Sequence, residues 1–162
     1  MNPIQQQYQW VAQTRNVLFE YCSTMTPTDY VKQVSAFGWG SVRNLHVHVA
    51  DCYRHWLQGF GLGEKVEDTP VHAYPSVDDV ARLFASVDDL VQQFLAKFEH
   101  ALDQPITGHV PWQRDPLQLS PLWLLTHTIT HEFHHKGQLV SLTRHLGYAP
   151  PDTDLVLPDQ SG

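Results

Sequence analysis

Three histidines recur at every fourth residue near the C-terminal end of the chain: His127, His131 and His135. At about 100° per residue, a helix places them within about 40° of one line, so they form a single stripe. Two imidazoles at i and i+4 can hold one transition-metal ion, and both His127/His131 and His131/His135 have this spacing. Because one helix supplies two such ligands comfortably, a third must come from a facing helix.

The facing helix is expected to be the one that carries His46, His48 and His55. His48 and His55 lie on nearly the same face of that helix, whereas His46 points almost the opposite way. His48 is in mid-helix among apolar residues, where an imidazole without a partner is costly, and His55 is near the helix end, within reach of solvent. The economical site therefore combines His48 with His131 and His135.

The sequence also allows other roles for the histidines and for Cys52. Each histidine can instead bond to a carbonyl or carboxylate and serve only the structure. His127 fits either a neighbour that hydrogen-bonds to the ligands or an alternative ligand, and the first role is favoured. Cys52, one turn after His48, is either core filling or a thiolate ligand. Glu132 is about 100° around the helix from His131, so no general base is assigned.

Three neutral imidazoles leave at least one position on a divalent ion open, as in catalytic zinc sites. Such an ion lowers the pKa of a bound water, binds a thiolate or polarises a carbonyl. The pattern therefore predicts a metal-dependent reaction on a small-molecule substrate. Two alternatives are a metal-binding stress or sensor protein without turnover and a metal-free bundle whose histidines are structural.

Four segments have the apolar periodicity and the end signals of helices. The first opens at Asn2-Pro3 and stops at Thr26-Pro27, and the second starts near Ser41 and ends in the cluster of Gly59, Gly61 and Gly63; the third runs from the capping box at Ser76 to about Leu102, and the fourth from Ser120-Pro121 to Gly147. The stretch from Asp103 to Leu119 has four turn formers and predicts a short hairpin or an extended strap.

These elements predict an all-α fold, a four-helix bundle with long crossover connections, as one domain over residues 1–162. Residues 150–162 are expected to form an irregular tail. Leu122, Ile129, Phe133 and Val140 give the last helix a second apolar face opposite the histidines. Either the strap or a second subunit covers that face, and a homodimer is the prediction.

Composition excludes several classes of protein. With 10 Lys+Arg against 17 Asp+Glu, the 162-residue chain has a formal net charge of −7, which argues against a nucleic-acid binder. No apolar run approaches the roughly 18 residues of a membrane span, and the N-terminus lacks a signal-peptide pattern. Cys22 and Cys52 are typical of reduced core thiols. We expect a cytoplasmic protein without nucleic-acid or membrane partners.

Two segments resemble the DinB-like (DinB/YfiT) family of metalloenzymes. They read S-V-R-N-L-H-V-H-V-A-D-C-Y-R-H-W-L (residues 41–57) and H-T-I-T-H-E-F-H-H-K-G-Q-L (127–139), and L-G-Y-A-P-P-D-T-D-L-V (146–156) is similar to that family's ending. The resemblance implies a four-helix bundle with one divalent ion, usually Zn or Ni.

The resemblance also implies which residues hold the ion. The family's second-helix ligand precedes V-A-D, which is His48 here; its last ligand precedes R/K-G-Q, which is His135, and another lies four residues earlier, at His131. Lys136 replaces the commoner Arg without touching these ligands. Many relatives form homodimers, and some are transferases or isomerases that use a low-molecular-weight thiol. The open metal position together with this resemblance gives our hypothesis, a hydrolase or a thiol transferase.

Overall fold

The computed structural model describes residues 3–157. It contains helices α1 (Pro3–Cys22), α2 (Pro27–Val31), α3 (Val42–Tyr53), α4 (Val77–Lys97) and α5 (Pro121–His145), and strands β1 (Ile106–Gly108) and β2 (Leu117–Leu119). The four long helices are α1, α3, α4 and α5, so the all-α bundle predicted from the sequence is confirmed.

Serine caps begin three of the long helices where the sequence predicts. The Ser41 and Ser120 hydroxyls each accept a backbone N–H from the first helical turn. Ser76 forms a capping box with Asp79, with aspartate in the place of the usual glutamate. At the far end of α5, Gly147 has φ of +93°, which allows the chain to leave the helix.

The first predicted helix is α1, which ends at Cys22, before the predicted stop at Thr26-Pro27, and the short helix α2 that follows was not predicted. The Thr26 hydroxyl accepts the N–H of Asp29, and Pro27 occupies the first turn of α2. A threonine followed by proline is also the kind of signal that opens a helix, so the predicted stop is correct and the start of α2 was missed. The predicted cap Asn2 lies outside the described residues.

The second predicted helix continues beyond α3 as a π-helical segment, Arg54–Gly61. It ends within the predicted glycine cluster. Gly61 packs against the Phe94 ring so closely that any Cβ there would clash. Helix α4 ends at Lys97, short of the predicted Leu102, and Phe98 caps it with a backbone hydrogen bond to Phe94.

Helix α3 contacts both α4 and α5, and α1 contacts α4. Fully buried side chains from α3, α4 and α5 fill the space between them: Tyr53, Val80, Val87, Phe94, Leu124 and Leu142. Burying each large apolar side chain of this kind contributes about 1.5–3 kcal/mol relative to leaving it exposed. This packing holds α3 beside α5, the arrangement that the candidate site requires.

The predicted hairpin between α4 and α5 is present. Strands β1 and β2 pair antiparallel, with Ile106 opposite Leu119. The loop between them places Trp112 against Trp56 of the π-helical segment, with ring centroids 5.6 Å apart. The hairpin therefore becomes part of the wall of the candidate site.

The tail has no regular secondary structure over residues 150–157, as predicted, and residues 158–162 lie outside the described part. It runs along α1 and α5, where the Lys136 ammonium donates to the Thr153 carbonyl and the Val156 N–H donates to the Thr14 hydroxyl at 3.1 Å.

The second apolar face of α5 is partly covered within the chain. Ile129 and Val140 pack against the core, the Lys136 ammonium lies over the Phe133 ring, and Leu122 is exposed. The predicted homodimer stays a prediction.

Cys22 and Cys52 are both buried free thiols, as their number suggests. None of the helices within residues 3–157 has the length and apolar composition that crossing a membrane requires.

Candidate metal centre

The structure brings His48, His131 and His135 together. His48 lies on α3, and the other two lie one turn apart on α5. One ring nitrogen from each lies within 4.8 Å of the other two. The ring centroids are 4.3 Å apart for His131 and His135, and 4.9 and 4.7 Å from these to His48. The i, i+4 spacing positions two imidazoles, and helix packing supplies the third.

The hydrogen bonds of His135 determine which of its nitrogens is free. Its Nδ1 lies 2.7 Å from Gln138 Oε1, an amide oxygen that can only accept, so Nδ1 carries the proton. The Gln138 amide nitrogen donates to His134 Nε2 at 3.2 Å, which agrees with that orientation. The lone pair of His135 is therefore on Nε2, which faces His131 Nε2 at 3.1 Å. Metal-bound imidazoles commonly have this kind of partner on the other nitrogen.

Burial and mutual repulsion keep the three imidazoles neutral. Desolvation, with smaller effects from His135, His48 and other nearby histidines, lowers the pKa of His131 to about 3. Burial and then His135 lower the pKa of His48 to about 4, against the attraction of Asp51. The pKa of His135 is also lowered, mainly by burial. At neutral pH all three have the form that binds a metal.

These donors fit a divalent ion of the zinc type. Two nitrogens bound tetrahedrally at the usual Zn–N length are about 3.3 Å apart. The 3.1 Å separation of the two Nε2 atoms is close to this value. His131 Nδ1 is buried without a hydrogen-bond partner among residues 3–157, as is His46 Nε2, so this atom does not distinguish the candidate ligands and the fit depends on the Nε2 spacing.

His127 lies beside the cluster but outside it. Its ring stacks on Trp123 with the planes 7° apart, and its edge meets Trp56 at 4.9 Å between centroids. The His127 and His131 centroids are 5.9 Å apart. The structure thus places His127 among aromatic residues next to the candidate ligands.

Cys52 is also near the cluster and outside the group of three. Burial, and to a smaller extent the Glu132 carboxylate, raises the pKa of the Cys52 thiol to about 12. The thiol is therefore protonated in neutral solution, and a metal ion would have to displace its proton in order to bind it.

An open pocket of about 840 Å³ has His48 and His131 on its wall. Trp39 stacks on the His48 ring at 3.7 Å between centroids, with the planes 18° apart. The Asp51 carboxylate, also on the wall, accepts from Arg54 Nη1 at 2.7 Å and from the Thr69 N–H at 3.1 Å. Such a pocket has the size of small-molecule sites.

The sequence did not predict most of the residues that line this pocket. Trp39, Thr69 and Trp112 line the pocket and belong to no local motif, and Asp51 lies in the V-A-D segment but was given no role. The one available signal was the number of tryptophans, five in 162 residues.

Glu132 faces away from the pocket, as its angle to His131 predicts. Its Oε1 accepts from Arg15 Nε at 2.7 Å, and its Oε2 accepts from the Tyr53 hydroxyl at 2.6 Å. A carboxylate held in this way inside the core does not meet a substrate in the pocket.

A family model described as DinB family matches residues 1–161. The chain belongs to the DinB family. The resemblance noted from residues 41–57 and 127–139 is therefore confirmed. No curated protein sequence matches this DinB chain significantly.

The DinB fold is also seen in a known structure. A crystal structure of a DinB-like protein from Bacillus cereus ATCC 10987 is similar, with a TM-score of 0.67 and 20% sequence identity, over 92% of this chain and 94% of that one. At this identity the likeness supports the fold, and the reaction must be argued from the site.

Proposed function

We propose that this DinB chain is a metal-dependent enzyme that acts on a small molecule by hydrolysis or by transfer to a low-molecular-weight thiol. His48, His131 and His135 are the proposed ligands, and Zn or Ni is the proposed ion. The observation that carries the proposal is the convergence of three neutral imidazoles, two of which, His48 and His131, line an open pocket. Catalytic zinc sites likewise combine three protein ligands with a position for water or substrate.

The residues around the cluster have separate tasks in this proposal. Gln138 holds the proton on His135 Nδ1 and so directs the Nε2 lone pair. Trp39 stacks on His48 and restricts the rotation of its ring. When bound, a divalent ion supplies Lewis-acid chemistry, activating water or a thiolate or polarising a carbonyl. Asp51 and Thr69 offer polar groups for orienting a substrate.

A metal-binding protein without turnover, such as a stress or sensor protein, is the alternative with the same ligands. A site closed by a fourth protein ligand would favour it. Cys52 is the nearest thiol candidate, and its place outside the group of three argues against closure. We therefore favour the enzyme.

The first test is elemental analysis of untagged protein by plasma mass spectrometry after loading with Zn or Ni. We expect about one ion per chain in the wild type and almost none in His48→Ala or His131→Ala. His100→Ala is the matched control, because His100 is exposed and lies outside the group of three. Wild-type protein without metal after loading would contradict the proposal.

Turnover separates the enzyme from the metal-binding alternative. We expect the loaded wild type and His100→Ala to cleave an activated ester or to join a small thiol to an electrophile, and His131→Ala to do neither. Stoichiometric metal binding without turnover on either substrate class would favour the alternative.

Homodimer formation is part of the proposal and has its own test. The exposed Leu122 on the second face of α5 marks the proposed contact. Light scattering at micromolar concentration should give twice the 18.5 kDa chain mass, and Leu122→Glu should give the monomer. A monomeric wild type would contradict this part.

A further inference from the structure

Tryptophans are concentrated around the pocket. Of the five in the chain, Trp39, Trp56 and Trp112 line it, and Trp123 packs on Trp56. Trp39, Trp112 and Trp123 are exposed by 44%, 61% and 44%. Exposing three of the largest apolar side chains at one place is costly unless a ligand covers them, and such patches commonly mark binding sites.

Four rings form a continuous surface, which we call the aromatic wall: Trp56, Trp112, Trp123 and His127. Trp56 is its centre, with Trp112 and Trp123 each 5.6 Å away and tilted by 70° and 67°. His127 lies 4.9 Å from Trp56 and 5.9 Å from His131, between centroids. The wall therefore extends outward from the candidate metal ligands.

The charges of the pocket indicate what this wall does not bind. No lysine or arginine is among the pocket-lining residues within 3–157, and the nearby Arg54 guanidinium is bonded to Asp51 and Thr69. The acidic residues that line the pocket are Asp51 and Asp68, and the Asp68 carboxylate lies 2.8 Å from His55 Nε2. Because no lysine or arginine of the described residues lines the pocket, the lining does not favour a ligand with an anionic group.

We propose that the aromatic wall binds a planar aromatic group of the substrate, while the substrate's reactive group lies at His48, His131 and His135. This inference rests on the proposed function, because it divides one pocket into a metal end and an aromatic end. Indole faces attract flat rings by offset stacking and edge contacts, and the tilted rings of Trp56 and Trp112 offer both. The volume of about 840 Å³ accommodates both parts of such a molecule.

Three hydroxamates with the same metal-binding head and chain test this division. They are propanohydroxamate, 3-phenylpropanohydroxamate and 3-cyclohexylpropanohydroxamate, titrated into zinc-loaded protein by calorimetry. We expect the phenyl compound to bind at least about tenfold more tightly than propanohydroxamate, in line with the size of ring stacking on aromatic side chains. The cyclohexyl compound should fall between them, since it is apolar but not planar.

Variants of Trp112 locate the effect, and its high exposure means that its truncation leaves the core intact. Trp112→Ala should weaken binding of the phenyl compound about fivefold to tenfold and leave propanohydroxamate unchanged. Trp112→Phe should keep most of the affinity for the phenyl compound. Trp10→Ala is the control, because Trp10 is the tryptophan outside the pocket wall, and it should change neither affinity.

The outcomes distinguish this inference from the proposed function. Equal affinity for all three compounds would overturn the aromatic subsite and leave the metal site standing, and so would a phenyl preference that survives in Trp112→Ala. Affinity for the phenyl compound alone, dependent on Trp112, would support the subsite and contradict the metal site. Failure of all three compounds to bind would overturn both.

Discussion

Two neighbouring residues of α5, His131 and Glu132, face two regions of the molecule with opposite chemistry. Glu132 belongs to a buried charge cluster, which we define as Tyr8, Arg15, Tyr53, Asp88 and Glu132. His131 belongs to the histidine cluster with His48 and His135. Both are polar and largely withdrawn from water, yet only one is internally satisfied.

In the buried charge cluster each charge has its partner. Arg15, 4% exposed, donates to both oxygens of Glu132 at 2.7 and 3.2 Å and to Asp88 at 2.7 Å. Tyr53 and Tyr8 donate to the two carboxylates. These contacts join all four long helices, so this cluster specifies how the bundle packs.

In the histidine cluster the imidazoles are neutral and their hydrogen bonding is incomplete. His135 Nε2 faces His131 Nε2, and His131 Nδ1 has no partner within the described chain. A buried polar group without a partner costs about 1–3 kcal/mol. One face of α5 therefore stabilises the fold through Glu132, and the other face carries the candidate metal ligands.

The largest expected effect comes from breaking the buried charge cluster. Arg15→Met leaves the Glu132 carboxylate buried without its cation, so we expect the free energy of unfolding to fall by about 3–5 kcal/mol. Urea denaturation of metal-free protein measures it. The double variant Arg15→Met/Glu132→Leu should regain most of the loss. Arg82→Met, at an exposed ion pair, is the control and should be neutral. If Arg15→Met left the free energy of unfolding nearly unchanged, the buried charge cluster would not be what stabilises the packing of the bundle.

The second prediction breaks the histidine cluster. Zinc at about a hundredfold over its Kd should stabilise the wild type by about 2.7 kcal/mol, and His131→Ala should abolish that gain. Without metal, His131→Ala should change the free energy of unfolding by less than about 1 kcal/mol, because the lost ring was incompletely bonded. Denaturation with and without zinc provides the measurement. A large loss without metal would make His131 structural.

His46 is a buried histidine outside the candidate ligand group, so its titration can be compared with the behaviour of that group. It is buried, its Nδ1 lies 3.0 Å from the Tyr30 hydroxyl, and burial, followed by the charge of Arg15, lowers its pKa to about 3. The unfolded chain takes up this proton near pH 6.5. Stability from His46 is therefore complete above that pH and is lost progressively as the pH falls toward 3.

Between pH 7 and pH 5 this linkage costs about 2 kcal/mol for one such histidine. We expect the variant His46→Phe/Tyr30→Phe to lose about 2 kcal/mol less than the wild type over that range, measured by urea denaturation without metal. The other histidines titrate in both proteins and cancel in the difference. Identical pH dependence in the two proteins would show that His46 contributes nothing to acid sensitivity.

The smallest expected effect concerns Gln138, which holds the His135 proton. Gln138→Leu removes the acceptor of Nδ1–H and should weaken zinc binding about tenfold, whereas Gln138→Glu should retain it. Competition with a chromophoric chelator measures the affinity. Because Gln138 is exposed, neither variant should shift the free energy of unfolding by more than about 0.5 kcal/mol. Unchanged affinity in Gln138→Leu would mean that His135 needs no orienting partner.

Local chemistry made much of this protein predictable. Helix starts at Ser41, Ser76 and Ser120 depend on groups within one turn of the chain, and so does the His131/His135 spacing. The place of His48 among apolar residues singled it out on α3, and the resemblance to DinB proteins agreed. Where one local signal had two meanings, as at Thr26, which follows one helix and caps the next, only the first was predicted.

By itself, then, the sequence determined the four long helices, the DinB family and the residues that converge as candidate ligands, because capping and i, i+4 spacing are local properties. Only the tertiary structure decided that Arg15 meets Glu132 across 117 residues, and that the hairpin sets Trp112 against Trp56. Such contacts depend on how crossovers bring distant segments together, and no spacing along the chain encodes them. The buried charge cluster and the aromatic wall both follow from that packing.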